Sequence, residues 1–366
     1  MSDFNATDYA HMARALELAE RGCYGAHPNP MVGCVLVLDG DVVGEGWHER
    51  PGRPHAEINA LQAAGEVAKG ATAYVTLEPC AHHGKTPPCA QALIDAGVSS
   101  VIAAMEDPYR EVSGQGFAML RESGIDVHVG LLEERALELN RGYLSRIRRG
   151  RPFLTLKIAA SLDGCVAMAN GQSQWITGPA ARSDVQRYRA RCGAILSGIG
   201  TVLADDPSFT IRDEALLDTA KQPLRVILDS DLRMPLSASM LELPGNTLIF
   251  CTGDENRAAL EKAGAEVAVT ADADGQVDLA TVLEELARRE INDVFVEAGP
   301  GLAGSLLQQN LVDELVIYQA PHIMGSETAT MFTTPNWTQL SDRRELEIIE
   351  RREIGDDHRI TARLKD

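Results

Sequence analysis

The reading of this chain is decided by "PHAEINA", residues 54–60, taken together with "LEPCAHHGKTPPC", residues 77–89. The first stretch puts His55 and Glu57 at the start of a helical pattern that has Ile58 and Leu61 on its apolar side. The second follows "ATAYVTLEP" (71–79), a run rich in β-branched and aromatic residues that reads as a strand stopped by Pro79. Zinc favours nitrogen and sulfur ligands, and a catalytic site keeps one of its four positions for water. His55, Cys80 and Cys89 supply three such ligands. Glu57 lies at a helix start, and a carboxylate beside a metal-activated water can take its proton and pass it on. These residue types fit hydrolysis, with Glu57 as the proton shuttle. His82 and His83, inside the insert "AHHGKTPP", are rival ligands, and either one could close the site into a structural one. Cys89 is favoured over them because it opens a helix, "PCAQALIDAG" (88–97).

Around this pair of stretches the first part of the chain alternates helix and strand. "YAHMARALELAERG" (9–22) is helical and ends at Gly22, a good C-cap. "MVGCVLVLDGDVVGEGWH" (31–48) reads as a hairpin about its "DG" turn. "VSSVIAAMED" is a strand, "GQGFAMLRESG" a helix, "IDVHVG" a strand and "LLEERALELNRGYLSRI" (131–147) a single helix. Repeated units of this kind imply an α/β sheet with helices on its faces. The basic, Gly- and Pro-containing stretch "RIRRGRPFLTLK" (146–157) marks the boundary, which divides the chain into 1–147 and 148–366. The second part starts over with the strand "FLTLKIAASLDG", the helix "PAARSDVQRYRARCG" and "AILSGIGTVLADDP", a strand plus loop. Five further strands follow, with helices between some of them, giving a second α/β domain.

Composition excludes several classes. Hydrophobic residues at 45% and charged residues at 24% are those of an ordinary soluble globular protein. The chain has no long apolar run for a membrane span, and its start lacks the basic and apolar regions of a secretory signal. A formal charge of −19 argues against a nucleic-acid footprint, which needs a basic face. Seven scattered cysteines read as reduced, which makes the cytoplasm the expected compartment.

The pattern H-x-E followed by P-C marks the zinc deaminases of nucleobases, although there two residues rather than eight separate the cysteines. The longer spacing has its own parallel. "HPNPMVGCV", the spacing G-x-H-x-x-x-G-x-x-H-A-E at 46–57, and "LEPCAHHGKTPPC" resemble the deaminase domain of the bacterial bifunctional riboflavin-biosynthesis deaminase/reductase family, through Asp107 and Pro108. The resemblance implies a cytidine-deaminase-like α/β/α domain. It also implies a phosphorylated pyrimidine substrate, namely a diaminopyrimidinone bearing a ribosylamino phosphate. By matching position His55, Cys80 and Cys89 would bind Zn2+ and Glu57 would be catalytic. Asn29, His48 and His82 would line the substrate pocket; the competing readings are a turn residue between two prolines for Asn29 and a surface histidine for His48.

In the second domain "VFVEAGPGLAGSLL" (294–307) holds G-x-G-x-x-G between a strand and a helix, a place where the backbone can approach a phosphate. Alone it is as well read as a tight turn. "ASLDG", "GQSQWITGPAARSDVQRYRA" and "ILSGIGTVLADDPSFTIR" resemble the reductase domain of the same family. That implies a dihydrofolate-reductase-like α/β domain and reduction of the ribosyl group by NADPH. Transferred by position, Ser173, Arg189, Phe209, Arg212 and Glu297 would contact substrate, the two arginines through its phosphate. Ala159, Trp175, Thr201, Asp205 and Ser230 would face the cofactor, as would Gly299, Pro300, Gly301, Leu302, Ala303, Gly304 and Ser305. Lys157 could steer an anionic ligand, or serve as a solvated strand edge. The family also implies a homo-oligomer. The competing reading is a nucleoside or tRNA deaminase with an appended dinucleotide-binding domain, and the acidic balance weighs against it. A purely structural zinc module would have no use for Glu57.

Overall fold

The alternating patterns fold as a five-stranded and a nine-stranded sheet, each in its own unit, in a computed structural model. The structure describes residues 4–81, 88–109, 113–271 and 273–365. The units are Met1–Gly150 and Arg151–Asp366. Among the described residues no helix is long and apolar enough to cross a membrane.

In the first unit α1 (Ala6–Glu20) leads into the hairpin β1 (Gly33–Leu38) and β2 (Asp41–Trp47), then α2 (Ala56–Ala64) and β3 (Thr72–Val75). There follow α3 (Cys89–Asp95), β4 (Ser100–Ala103), α4 (Gln115–Glu122), β5 (Asp126–Val129), α5 (Glu133–Leu139) and α6 (Arg141–Arg149). The strand order is β2-β1-β3-β4-β5. β1 runs antiparallel to both neighbours, and β3, β4 and β5 are parallel. Alternation along the strands splits the core into two faces. Ala56, Ala60, Leu93, Phe117 and Leu120 pack on one, and Met12, Ala15, Leu16, Ala136 and Leu144 on the other. This is the expected α/β/α sandwich. α2 lies very close to the sheet because it meets glycine: a Cβ on Gly46 would fall 2.3 Å from the Ala56 carbonyl oxygen, and one on Gly44 2.3 Å from that of Ala60.

Two expectations about helices are corrected here. α1 ends at Glu20 with Arg21 as its C-cap, and Gly22 is instead a site of close approach, 2.8 Å from its would-be Cβ to the His48 carbonyl. Residues 131–147 form two helices rather than one, broken at Asn140. The Asn140 side chain is buried and clamps Met31, accepting from its N–H at 2.8 Å and donating to its carbonyl at 3.0 Å. The expected boundary at 147/148 falls inside α6, which continues to Arg149 and is closed by Gly150 at φ +68°.

The second unit runs β6 (Phe153–Ser161), β7 (Cys165–Ala167), α7 (Pro179–Arg191), β8 (Ala194–Gly198), α8 (Ile199–Asp205), α9 (Glu214–Leu217) and β9 (Leu224–Leu228). It continues with α10 (Ser239–Glu242), β10 (Thr247–Cys251), α11 (Arg257–Lys262), β11 (Ala265–Val269), α12 (Leu279–Arg288) and β12 (Asp293–Glu297). α13 (Pro300–Gln308), β13 (Glu314–Ala320), β14 (Ala329–Thr330), β15 (Leu346–Ile354) and β16 (Asp357–Leu364) complete it. The order is β11-β10-β9-β8-β12-β6-β13-β16-β15, parallel as far as β13 and antiparallel beyond, with β7 and β14 as a separate pair. Leu283, Leu286, Ala303 and Leu306 cover one face, and Ala181, Val185, Ile199 and Leu260 the other. The segment after β8, expected as loop, is the helix α8, because burial of Ile199 and Val202 pulls it onto the sheet despite two glycines.

Candidate active sites

Each metal-type side chain of the first unit sits where an element begins or ends. His55 is the N-cap of α2, and its carbonyl accepts from Asn59 N–H at 3.1 Å. Cys80 follows Pro79 beyond the end of β3, and Cys89 opens α3 with its N–H donating to Cys80 Sγ at 3.3 Å. His55 Nδ1 lies 3.7 Å from Cys80 Sγ and 3.3 Å from Cys89 Sγ. A tetrahedral zinc with ordinary Zn–N and Zn–S bonds holds such atoms about 3.6 Å apart. The donor set therefore fits zinc, and the described residues supply three of its four positions. Among the described residues this trio is the one cluster of its kind. His82 and His83 lie outside the described residues, so the expectations placed on them have no structural account.

Glu57 is 3% exposed, and its Oε2 has no hydrogen-bond partner among the described residues. A buried carboxylate oxygen without a donor is costly, and a water beside a metal is the donor this geometry suits. Burial, reinforced by the Cys80 thiolate, pushes the Glu57 carboxyl up to about 7. The Cys89 thiol and the His55 ring hold Cys80 below the usual thiol value, while Cys80 and burial hold Cys89 above it.

His48 is buried rather than on the surface. Its Nδ1 meets the Pro54 carbonyl at 3.2 Å, which makes that nitrogen the donor and leaves Nε2 to accept from the Asn29 amide at 3.0 Å. Burial lowers its pKa and favours the neutral ring. Asn29, His48, His55, Glu57 and Cys80 border one cavity of about 290 Å³. Glu78, Asp107, Tyr109 and Tyr143 form more of its wall, and the sequence did not single them out as site residues. Glu78 was hidden within the "LEPC" motif, and Tyr143 comes from a helix with no local signal.

The second unit holds a larger cavity, of about 1110 Å³, along the carboxyl ends of its strands. Ala159, Ser173, Trp175, Thr201, Asp205 and Phe209 line it, with Arg189, Arg212 and Glu297. Gly299, Pro300, Gly301 and Leu302 complete the expected set on its wall. Ser230, Ala303, Gly304 and Ser305 are not among the lining residues: Ala303 is buried in the core and the Ser230 carbonyl is taken by Thr252. The three glycines of the motif differ. A Cβ on Gly299 or Gly301 would meet nothing within 4 Å, whereas one on Gly304 would fall 1.9 Å from the Thr333 carbonyl. The first two thus leave room for a ligand against the backbone, and the third serves packing. α13 has no side-chain cap on its first amides, so a phosphate there would find free donors.

Arg189, expected to contact the substrate phosphate, borders this cavity with much of its guanidinium engaged inside the protein. It is 8% exposed and already committed, Nε and Nη2 donating to the Glu297 carboxylate at 2.7 and 3.1 Å and Nη1 to the Thr210 carbonyl at 2.9 Å. Burial pushes Glu297 up, but the charge and hydrogen bonds of Arg189, with Lys157 behind them, hold it below the usual carboxylate range. Arg212 keeps an exposed guanidinium on the cavity wall. Lys157 is no strand edge: it lies mid-way along β6, inside the sheet, beside Glu297 in register. Ser173 Oγ and Gln174 Nε2 reach Asp205 Oδ1 at 3.4 and 3.2 Å, and Arg182 stacks over Trp175 at 4.7 Å.

Comparison with known proteins adds what these arrangements share with others. Residues 5–105 match the cytidine and deoxycytidylate deaminase zinc-binding region, and residues 152–358 the RibD C-terminal domain. The chain is 48% identical to the riboflavin biosynthesis protein RibD of Escherichia coli over 359 residues, 96% of this chain and 97% of that one. The chain belongs to the RibD family. RibD of Haemophilus influenzae is 46% identical over 99% of this chain and 98% of its own. The structure of Acinetobacter baumannii RibD superposes with a TM-score of 0.92 at 42% identity, covering 98% of this chain and 99% of that one. A Thermotoga maritima structure, described as a diaminohydroxyphosphoribosylaminopyrimidine deaminase/5-amino-6-(5-phosphoribosylamino)uracil reductase, gives 0.88 at 33% identity over 98% and 99%. The chain is thus a bifunctional deaminase/reductase of riboflavin biosynthesis, with a zinc-binding deaminase half and a RibD reductase half.

Proposed function

We propose that the first unit hydrolyses the 2-amino group of 2,5-diamino-6-(5-phosphoribosylamino)pyrimidin-4-one. The second unit then reduces the ribosyl group of the product with NADPH, giving 5-amino-6-(5-phosphoribitylamino)uracil. The observation that carries the first step is a three-donor cluster facing a buried, unpartnered Glu57 carboxylate oxygen. His55, Cys80 and Cys89 would hold Zn2+, which makes a water nucleophilic at neutral pH. Glu57 takes the proton of that water and delivers it to the departing amine, which leaves as ammonia. The Asn29 amide, fixed by His48, keeps its carbonyl oxygen as an acceptor for the pyrimidine.

In the second unit Gly299 and Gly301, with the first amides of α13, would take the cofactor pyrophosphate. NADPH supplies the hydride that reaches C1′ of the sugar. Glu297 and Lys157 hold opposite charges on adjacent strands and orient polar groups of the substrate, while Arg189 fixes Glu297. The open guanidinium of Arg212 suits the substrate phosphate. The choice of NADPH over NADH, the homo-oligomer and the cytoplasmic location follow from the family resemblance and the reduced cysteines.

Purified protein with its metal quantified is incubated with the diaminopyrimidinone riboside phosphate, with and without NADPH. Ammonia should appear without NADPH, and cofactor oxidation only once ammonia has formed. Cofactor oxidation with no ammonia release would overturn the order of steps, and absence of both would overturn the proposal.

A further inference from the structure

Glu78 is 3% exposed, yet it carries a carboxylate. Such a group must find donors, and here all of them are backbone N–H groups from other parts of the chain. Oε2 accepts from Asp107 at 3.2 Å and Gly114 at 3.0 Å, and Oε1 from Gly116 at 2.8 Å and Phe117 at 3.3 Å. α4 has Gly114 as its N-cap and no local side-chain cap. Glu78 therefore caps α4 from a distant strand end, with its negative charge at the favourable pole. Gly116 lets the two segments touch: a Cβ there would fall 1.9 Å from the Pro79 carbonyl oxygen.

What Glu78 ties together matters for the chemistry. Along the chain it is joined through Pro79 to Cys80, one of the three metal-type donors. Through space it holds Asp107, which accepts from Tyr109 N–H at 2.9 Å and from the Tyr143 hydroxyl at 3.1 Å. Asp107, Tyr109 and Tyr143 line the deaminase cavity with Glu57 and Cys80. We infer that Glu78 is a positioning residue of the deaminase half, setting the Asp107–Tyr143 wall of the substrate cavity against the metal cluster. A cap that served stability alone could come from a local side chain at the start of α4. This one joins the donor-bearing strand end to the wall facing it.

The inference rests on the proposed deamination, and the experiment keeps the two apart. Glu78→Gln is isosteric but turns an NH2 group toward two of the four N–H donors. Gly116→Ala forces α4 away from Pro79 and leaves Glu78 intact. In the full-length protein, both variants should keep wild-type metal content and the wild-type reductase rate on supplied deaminated substrate. Their deaminase KM should rise about tenfold or more, with kcat changed by less than about threefold. An unchanged KM in both variants, or loss of metal in step with activity, overturns the inference while wild-type ammonia release stands. If the wild-type protein releases no ammonia from this substrate, the proposed function falls and the inference falls with it.

Discussion

Replacing Glu297 with glutamine removes the negative charge that pairs with Arg189 where β12, β6 and α7 meet. Glu297 and Arg189 are joined by two hydrogen bonds, of 2.7 and 3.1 Å, and their side chains are 12% and 10% exposed. Removing one partner of such a pair leaves a buried charge uncompensated, at a cost of about 3–5 kcal/mol. Glutamine keeps one acceptor oxygen for Arg189 and recovers about 1 kcal/mol. The net loss, about 2–4 kcal/mol, lowers the melting temperature of a unit of this size by about 4–16 °C. Differential scanning calorimetry of the full chain reads this shift, and undiminished ammonia release shows that the first unit is intact. The pH dependence has a fixed sign. The folded state holds the Glu297 carboxyl below its ordinary value, so its stabilisation is complete above the unfolded carboxylate value. It is lost as pH falls through the lower folded value. The difference in melting temperature between wild type and E297Q should therefore shrink on acidification below about pH 4. A neutral-pH shift under about 2 °C, or a difference that does not narrow in acid, would refute the reasoning.

Glu57→Gln should keep its zinc and lose about 10²–10⁴ in deaminase kcat, read as ammonia release beside metal analysis, because the variant can no longer carry the proton; retained turnover would defeat the shuttle role. Gly301→Ala should leave the melting temperature unchanged, since its Cβ meets nothing within 4 Å, but raise the cofactor KM about tenfold. Gly304→Ala should do the reverse, lowering the melting temperature through its clash with the Thr333 carbonyl, and equal behaviour of the two variants would contradict the division of roles between these glycines.

Most of the first site was legible because its chemistry lies at element boundaries. A histidine at a helix start, a proline that stops a strand and a cysteine that opens a helix are all local signals, and the structure brings His55, Cys80 and Cys89 together as their spacing suggested. What escaped is held by contacts distant in sequence. Asn140 reads as one residue of a continuous helix until its side chain is seen on Met31, and the pairing of Arg189 with Glu297 has no signal in the neighbours of either. Lys157 reads as an edge until strands pair on both sides of β6. The exposed strand β15 is masked by charged residues on most of its length. In each case local pattern gave the element or residue type, and a partner far along the chain gave the role.

The charge of the reductase corner follows from the same long-range pairing. The chain is acidic overall, at −19, which taken alone would repel a phosphorylated ligand. Salt screens exposed charges beyond roughly 8–10 Å, so the acidic surface has little reach into the cavity. Inside it, Lys157 and Arg189 face the carboxylate of Glu297, while Arg182 and Arg212 share the rest of the wall with Asp205, Asp206 and Glu242. Burial depresses the Lys157 pKa, and Glu297 offsets part of that effect. Arg189 keeps Glu297 ionised and in place, and it still borders the cavity with N–H donors that Glu297 and Thr210 do not use.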